Sequence, residues 1–255
     1  MDKIKLFDTH AHYDDRAYGK SPRELIKRIL SENVSGFIQV GCSLKSIPRS
    51  LEIAEEFDNV FVSAGIHPHY ASELPADYLS RLQKWANHPC VVAIGEIGLD
   101  YHYEGYSRSN QIKVFRAQLN FAENLGLPVI IHSRDATEDM MEILREMRPK
   151  AVMHCYLGSA ETARELMKLG IPISFTGVIT FKNAKKAVEV CRETPLQMLM
   201  LETDCPYMAP EPFRGKVCDS SMAWHTAAKI AEIKGISTEE VVRICNANAE
   251  RFFNI

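Results

Sequence analysis

The chain lacks the features that announce most specialised classes of protein. No apolar run is long enough to span a bilayer, and Met1-Asp2-Lys3 leads straight into an apolar segment instead of a basic leader with a cleavage site, which argues against a membrane or secreted protein. No C-x-x-C occurs. The seven cysteines stand apart at 42, 90, 155, 191, 205, 218 and 245, a pattern that fits reduced thiols in the cytoplasm better than a disulfide frame or a Cys-rich structural zinc. Net charge is also scarce: 30 Lys and Arg against 33 Asp and Glu leave −3, so no global basic field announces a nucleic-acid partner. With no internal repeat, low-complexity stretch or linker, residues 1–255 read as one domain.

What the chain does have is a recurring β-branched, apolar run. Eight strands are expected, at 4–8, 36–41, 60–66, 91–97, 128–132, 151–155, 172–176 and 198–203. Helix-like stretches separate them. Ser21-Pro22-Arg23-Glu24 reads as an N-cap, Pro at N1 and a capping-box Glu opening a helix over 21–32. Residues 108–125 set Ile112, Phe115, Leu119, Ala122 and Leu125 on one stripe, and 134–148 do the same with Met140, Leu144 and Met147. Strand and helix alternating in this way predict an α/β chain folded as a TIM-type (β/α)8 barrel. An open doubly wound sheet is the competing architecture. Its Gly-rich phosphate turn would follow the first strand, where this chain has His10-Ala11-His12.

Barrel enzymes build their sites at the C-terminal ends of the strands. Those ends carry His10 and His12, His67, Glu96, His132, His154, and Glu202 with Asp204. Taken singly, His132 or His154 would read as a satisfied core histidine. Glu96, closing the apolar run VVAIG, is costly to bury unless it is paired or holds a metal. His10 and His12 share a strand face by alternation, and Asp8 shares their parity, which suggests a supporting role. Imidazole and carboxylate donors without a thiolate in register suit Zn, Mn, Fe, Co or Mg. Six donors exceed what one ion needs, so two divalent ions bridged by Glu96 are expected, with Asp204 both ligating and accepting a proton from water.

The motifs FDTHAH (7–12), GIHPH (65–69), GEIGLDY (95–101), LPVIIHSRDA (127–136), HCYLGS (154–159), FTGVITFKNA (175–184), LETDCPYMAPEPFRGK (201–216) and NANAERFF (246–253) run through nearly the whole chain. In this order they resemble the TatD family of metal-dependent hydrolases, within the amidohydrolase-like barrels. The resemblance implies a DNase-type phosphodiester hydrolase with a divalent metal centre. It implies His10, His12 and Glu96 as ligands of one metal (Mg, Mn or Zn), Glu96 with His132 and His154 as ligands of the second, and Asp204 completing the site. His67 resembles a position at the pocket rim that would contact substrate or bound phosphate. Arg134, two residues past His132, is placed to clamp a phosphate oxygen bidentately or, failing that, to pair with Asp135 or Glu138.

One departure stands out. Where the common family form continues Arg-Asn-Glu-Pro, this chain has Val217-Cys218-Asp219-Ser220, so a loop expected to line the substrate mouth differs. Cys205 and Cys218 read as structural rather than catalytic. The expected substrate is DNA, taken as strand ends or single strands, which need less of a basic footprint than long duplexes. Lys182, Lys185, Lys186, Arg214 and Lys216 could guide a strand or form an ordinary solvated face. The competing reading keeps the metals and changes the bond to an amide, ester or lactone of a small molecule, a choice the fold does not make. A regulatory protein on a degenerate barrel would have lost ligands, and none is missing. A monomer is the default expectation.

Overall fold

A computed structural model describes residues 4–19 and 22–255. Eight strands pair in parallel in chain order: β1 (Leu6–Ala11), β2 (Val34–Gly41), β3 (Val60–Ala64), β4 (Val91–Asp100), β5 (Val129–Arg134), β6 (Ala151–Met153), β7 (Ile173–Phe175) and β8 (Leu199–Leu201). The two ends of this order meet. Asp204 N–H donates to His10 O at 3.0 Å and His12 N–H to Cys205 O at 2.8 Å. The sheet therefore closes as the expected barrel. A doubly wound sheet would reverse its strand order at a switch point, and this one never does.

Nine helices surround the barrel among the described residues: α1 (Arg23–Glu32), α2 (Ile47–Ala54), α3 (Tyr78–Ala86), α4 (Arg108–Leu125), α5 (Thr137–Met147), α6 (Ala160–Lys168), α7 (Lys185–Glu193), α8 (Ala223–Lys234) and α9 (Thr238–Phe253). None is long and apolar enough to cross a membrane. Of the expected opening of α1, Ser21 lies outside the described residues, and Pro22 itself stands at the N-cap without a side-chain bond. Helix α5 starts three residues later than expected because β5 keeps pairing with β4 as far as Asp100↔Arg134. Strands β6 to β8 are shorter than their apolar runs, since the polar residues at their ends leave the ladder.

Every position of β4 is buried, as expected of a strand covered on both faces. One set of strand side chains faces the helices. The other meets inside the barrel: Phe7, Ile38, Val92, Ile130, Val152 and Met200 pack together and against Phe253 of α9. Phe7, Val92 and Ile130 are each the second residue of their strand, and with the other three they form an apolar floor against α9, leaving the C-terminal end of the lumen to polar side chains. Helix α4 is held by Ser107, whose side chain accepts from Asn110 N–H, and it ends at Gly126 with φ +67°. Its expected stripe is buried at Phe115, Leu119 and Ala122. On that face it also buries Gln111 and Gln118. Gln118 bonds both backbone groups of Ile66, at 2.8 and 3.0 Å, and Gln111 bonds both of Asp100, each at 2.8 Å. Two amides thus hold the backbone at the ends of β3 and β4, next to the residues of the site.

Gly98 shows why β4 and β5 can approach so closely. Its φ is +147°, and a Cβ there would lie 1.9 Å from His132 O, inside the ladder that pairs Gly98 with His132. Gly98→Ala is expected to cost about 3 kcal/mol or more. Thermal unfolding would check this, and an unchanged Tm would contradict the close approach.

Candidate metal centre

At the C-terminal rim, side chains from four other strand ends converge on Glu96. His132 Nδ1 lies 2.7 Å from Glu96 Oε1, His154 Nε2 3.4 Å and His67 Nε2 3.9 Å from the same oxygen. His10 Nε2 lies 3.5 Å from the other oxygen, Oε2. His10 Nε2 and His12 Nε2 face each other at 3.1 Å, and both approach Asp204 Oδ1, at 3.8 and 3.4 Å. Two donor groups therefore share Glu96, one of His10, His12 and Glu96 and one of His67, Glu96 and His132. A further group joins His10, His154 and Asp204. Of the residues expected as metal ligands or phosphate contacts, His10, His12, His67, Glu96, His132, His154 and Asp204 belong to this cluster, and Arg134 stands outside it.

The end of β1 is built differently from simple alternation. Its register against β2 shifts between Asp8 and Ala11. Asp8 touches neither imidazole; it accepts from His10 N–H at 3.2 Å, Thr203 N–H at 2.9 Å and the Thr203 hydroxyl at 2.6 Å. Fully buried, it ties the end of β1 to the segment after β8 and so positions His10 relative to Asp204. Burial lifts its carboxyl to about 7 despite these bonds.

Two carboxylates behind the cluster escaped the sequence reading as partners. Glu202 Oε1 lies 3.0 Å from His154 Nδ1, and Asp100 Oδ2 lies 3.1 Å from His132 Nε2 and 2.9 Å from His69 Nε2. Asp100 hydrogen-bonds the ring nitrogen of His132 turned away from Glu96, the arrangement that fixes a ligating imidazole, and Glu202 lies at ion-pair distance from the corresponding nitrogen of His154. Alternation held the signal: Asp100 shares the parity of Glu96, and Glu202 that of Asp204.

The electrostatics fit a cation site. Burial opposes charge on Glu96, but His154, His67, His10 and His132 hold it well below the usual carboxylate range. Asp204 is likewise lowered: burial opposes its charge, but His12, His154 and His10 together outweigh it. Burial, aided by His154, lowers His10, and burial, aided by His132 and His69, takes His67 to about 3, leaving both neutral with a lone pair to offer. Against burial, Asp100 and Glu96 raise His132 to about 9, and Glu202 and Glu96 raise His154 to about 9. Protons on those two rings neutralise the buried carboxylates. Divalent ions among the same nitrogen and oxygen atoms would serve the same end. The nearby thiols do not compete as anions: burial pushes Cys42 to about 11 and the buried Cys205 to about 12.

A cavity of about 960 Å³ opens above the cluster, lined by His12, Glu96, His132, His154 and Asp204 below and by Tyr70, Tyr103, Arg134 and Tyr207 nearer the mouth. Arg134 is exposed and donates to Tyr103 Oη at 3.2 Å; Asp135 pairs instead with His102 at 2.8 Å. His67 sits deeper than a rim position, 9 % exposed. Residues 217–220 do not line the cavity. Cys218 is buried, its N–H donating to Pro206 O at 3.0 Å, and Asp219 pairs with Arg28 at 3.3 Å, so this segment packs against the barrel wall and α1. The mouth is lined by Tyr207 and Met208, earlier in the same loop. Lys182, Lys185, Lys186, Arg214 and Lys216 also stay outside the lining, and Arg214 stacks on Phe181 at 4.3 Å.

A closed parallel barrel with imidazoles and carboxylates gathered at its C-terminal rim defines a metal-dependent hydrolase. The chain belongs to the TatD related DNase family, whose sequence model matches residues 7–254. It is 44% identical over 253 residues to YabD of Bacillus subtilis (strain 168), an uncharacterized metal-dependent hydrolase, covering 98% of this chain and 99% of YabD. It is 30% identical over 259 residues to the 3′-5′ ssDNA/RNA exonuclease TatD of Erwinia tasmaniensis, covering 98% of this chain and 100% of that one. The crystal structure of YjjV, a TatD homolog from Escherichia coli K12, superposes with a TM-score of 0.92 at 28% identity, covering 98% of each chain.

Proposed function

We propose that the chain is a deoxyribonuclease that hydrolyses phosphodiester bonds of DNA, taking strand ends or single strands into the cavity. The observation that carries this reading is the convergence of four imidazoles on the two oxygens of Glu96, within 2.7 to 3.9 Å. The name of the Erwinia relative supports the choice of substrate. His10, His12 and Glu96 would hold one divalent ion, and Glu96, His132 and His154 would hold a second, with Asp204 completing the set; Mg, Mn and Zn all suit these donors. When bound, such a pair supplies an activated water and neutralises charge on the phosphoryl oxygens. Asp204, ionised and beside His12, accepts the proton of the attacking water. His67 and Arg134 contact the phosphate, His67 from beside Glu96 and Arg134 from the mouth. Glu202 and Asp100 keep His154 and His132 aimed.

The test is a panel of single-stranded DNA, a generic phosphodiester, a small amide and a lactone, each with Mn or Mg and each with a chelator. Shortening of DNA that stops on chelation is expected. Intact DNA alongside turnover of the amide or lactone would overturn the nuclease reading in favour of amidohydrolase-like chemistry. Glu202→Gln, which weakens the hold on His154, is expected to lower metal affinity by about 10- to 100-fold. Competition with a fluorescent chelator would measure this, and unchanged affinity would remove Glu202 from that role.

A further inference from the structure

Exposed apolar side chains are concentrated at the cavity mouth. Among the described residues, the exposed large apolar side chains are Ile4, Tyr70, Tyr103, Tyr106, Leu157, Tyr207, Met208 and Val217. Five of these eight, Tyr70, Tyr103, Leu157, Tyr207 and Met208, line the cavity above the cluster. Single exposed apolar residues need no explanation, but a cluster around a pocket marks a binding surface. Two of the five, each about half exposed, are held in fixed positions. The Tyr103 ring makes T-shaped contacts with His69 at 5.0 Å and His102 at 5.1 Å, and Arg134 lies over it at 5.3 Å and donates to its hydroxyl. Tyr207 donates its hydroxyl to Asp15 at 2.8 Å, and its N–H donates to Asp204 O at 3.0 Å.

Topology sets these two rings across from each other. Tyr103 follows β4 and Tyr207 follows β8, and strands four apart in a closed barrel of eight lie on opposite sides. The lining between them is poor in cations: Arg134 is its one Lys or Arg, against Asp14, Asp15, Asp135, Glu96 and Asp204. Beyond the phosphate held at the metal centre, a strand entering here gains little from the phosphate attraction that dominates most nucleic-acid binding. The remaining general source of affinity for a single strand is stacking of bases on aromatic faces.

We propose that Tyr103 and Tyr207 form a clamp that stacks the bases on either side of the phosphate to be cut. This inference rests on the nuclease reading and refines it: the enzyme selects strand ends that bear nucleobases, and the two rings add a grip on the bases to the hold that Arg134 and the metal centre have on the phosphate. The test compares single-stranded oligonucleotides with normal or abasic residues at their last two positions. Wild-type protein is expected to favour the base-bearing ends, with a lower KM. Tyr103→Ala and Tyr207→Ala are each expected to raise KM for those ends by about tenfold, to leave kcat little changed, and to shrink the preference over abasic ends. Tyr103→Phe and Tyr207→Phe should restore it, since the ring face is kept. Tyr106→Ala, exposed but outside the lining, serves as the control and should behave as wild type. Cleavage of DNA with the same KM in wild type and both alanine variants would overturn the clamp while sparing the nuclease reading. Failure of the wild-type protein to cut DNA would overturn both.

Discussion

Glu96→Ala is expected to reduce turnover by about 10³-fold or more at saturating metal, while the barrel stays folded. Glu96 is the group on which the donor sets meet, with His132 and His10 on opposite oxygens. Its removal takes a shared ligand from both proposed ions at once. It also takes from His132 and His154 a carboxylate that raises them. Those rings can answer by releasing their protons, so the site neutralises instead of leaving buried charge unpaired. The apolar floor of Phe7, Ile38, Val92, Ile130, Val152 and Met200 lies below and is untouched. Circular dichroism and Tm should therefore change little while bound metal and turnover fall together. A variant with wild-type rates would show that the cluster is not where the chemistry happens.

Asp204→Asn is expected to lower kcat by about 10² to 10⁴-fold with KM nearly unchanged, because an amide cannot accept the proton of the attacking water. Its effect should be separable from that of Glu96. The amide oxygen can still face His12 and His10, so much of the bound metal should remain. The carboxylate is held ionised by His12, His154 and His10 against its burial, the state a base requires. Steady-state kinetics and metal content on the same preparation distinguish the roles. Loss of metal equal to that in Glu96→Ala would make Asp204 a ligand alone.

Most of the site could be read from residue spacing because parallel strands deliver it by simple rules. Alternation aims His10 and His12 into one lumen, and closure of the barrel brings Glu96, His132, His154 and Asp204 to the same rim. The misses have equally physical causes. Alternation gave Asp8 the face of the histidines, but a register shift beside it turns the carboxylate onto backbone N–H groups. Asp100 was passed over because β4 was ended at residue 97, whereas its ladder with β5 continues to Asp100↔Arg134. Gln111 and Gln118 are polar residues on a buried helical face, and hydropathy cannot distinguish them from a solvated stripe. The mouth depends on how the loops after β4 and β8 fold back. Periodicity therefore carried no sign that Tyr103 and Tyr207 line it, or that residues 217–220 turn away from it.

The number of ions the rim holds decides whether Glu96 is shared between two of them. Protein purified, stripped and reloaded with Mn or Zn, then measured by elemental analysis alongside Glu96→Ala, tests it in one experiment. Two equivalents of metal per chain in the wild type and a loss of both in the variant are the expected results. One equivalent or none in the wild type, or a variant that keeps its full complement, would contradict a pair of ions bridged by Glu96.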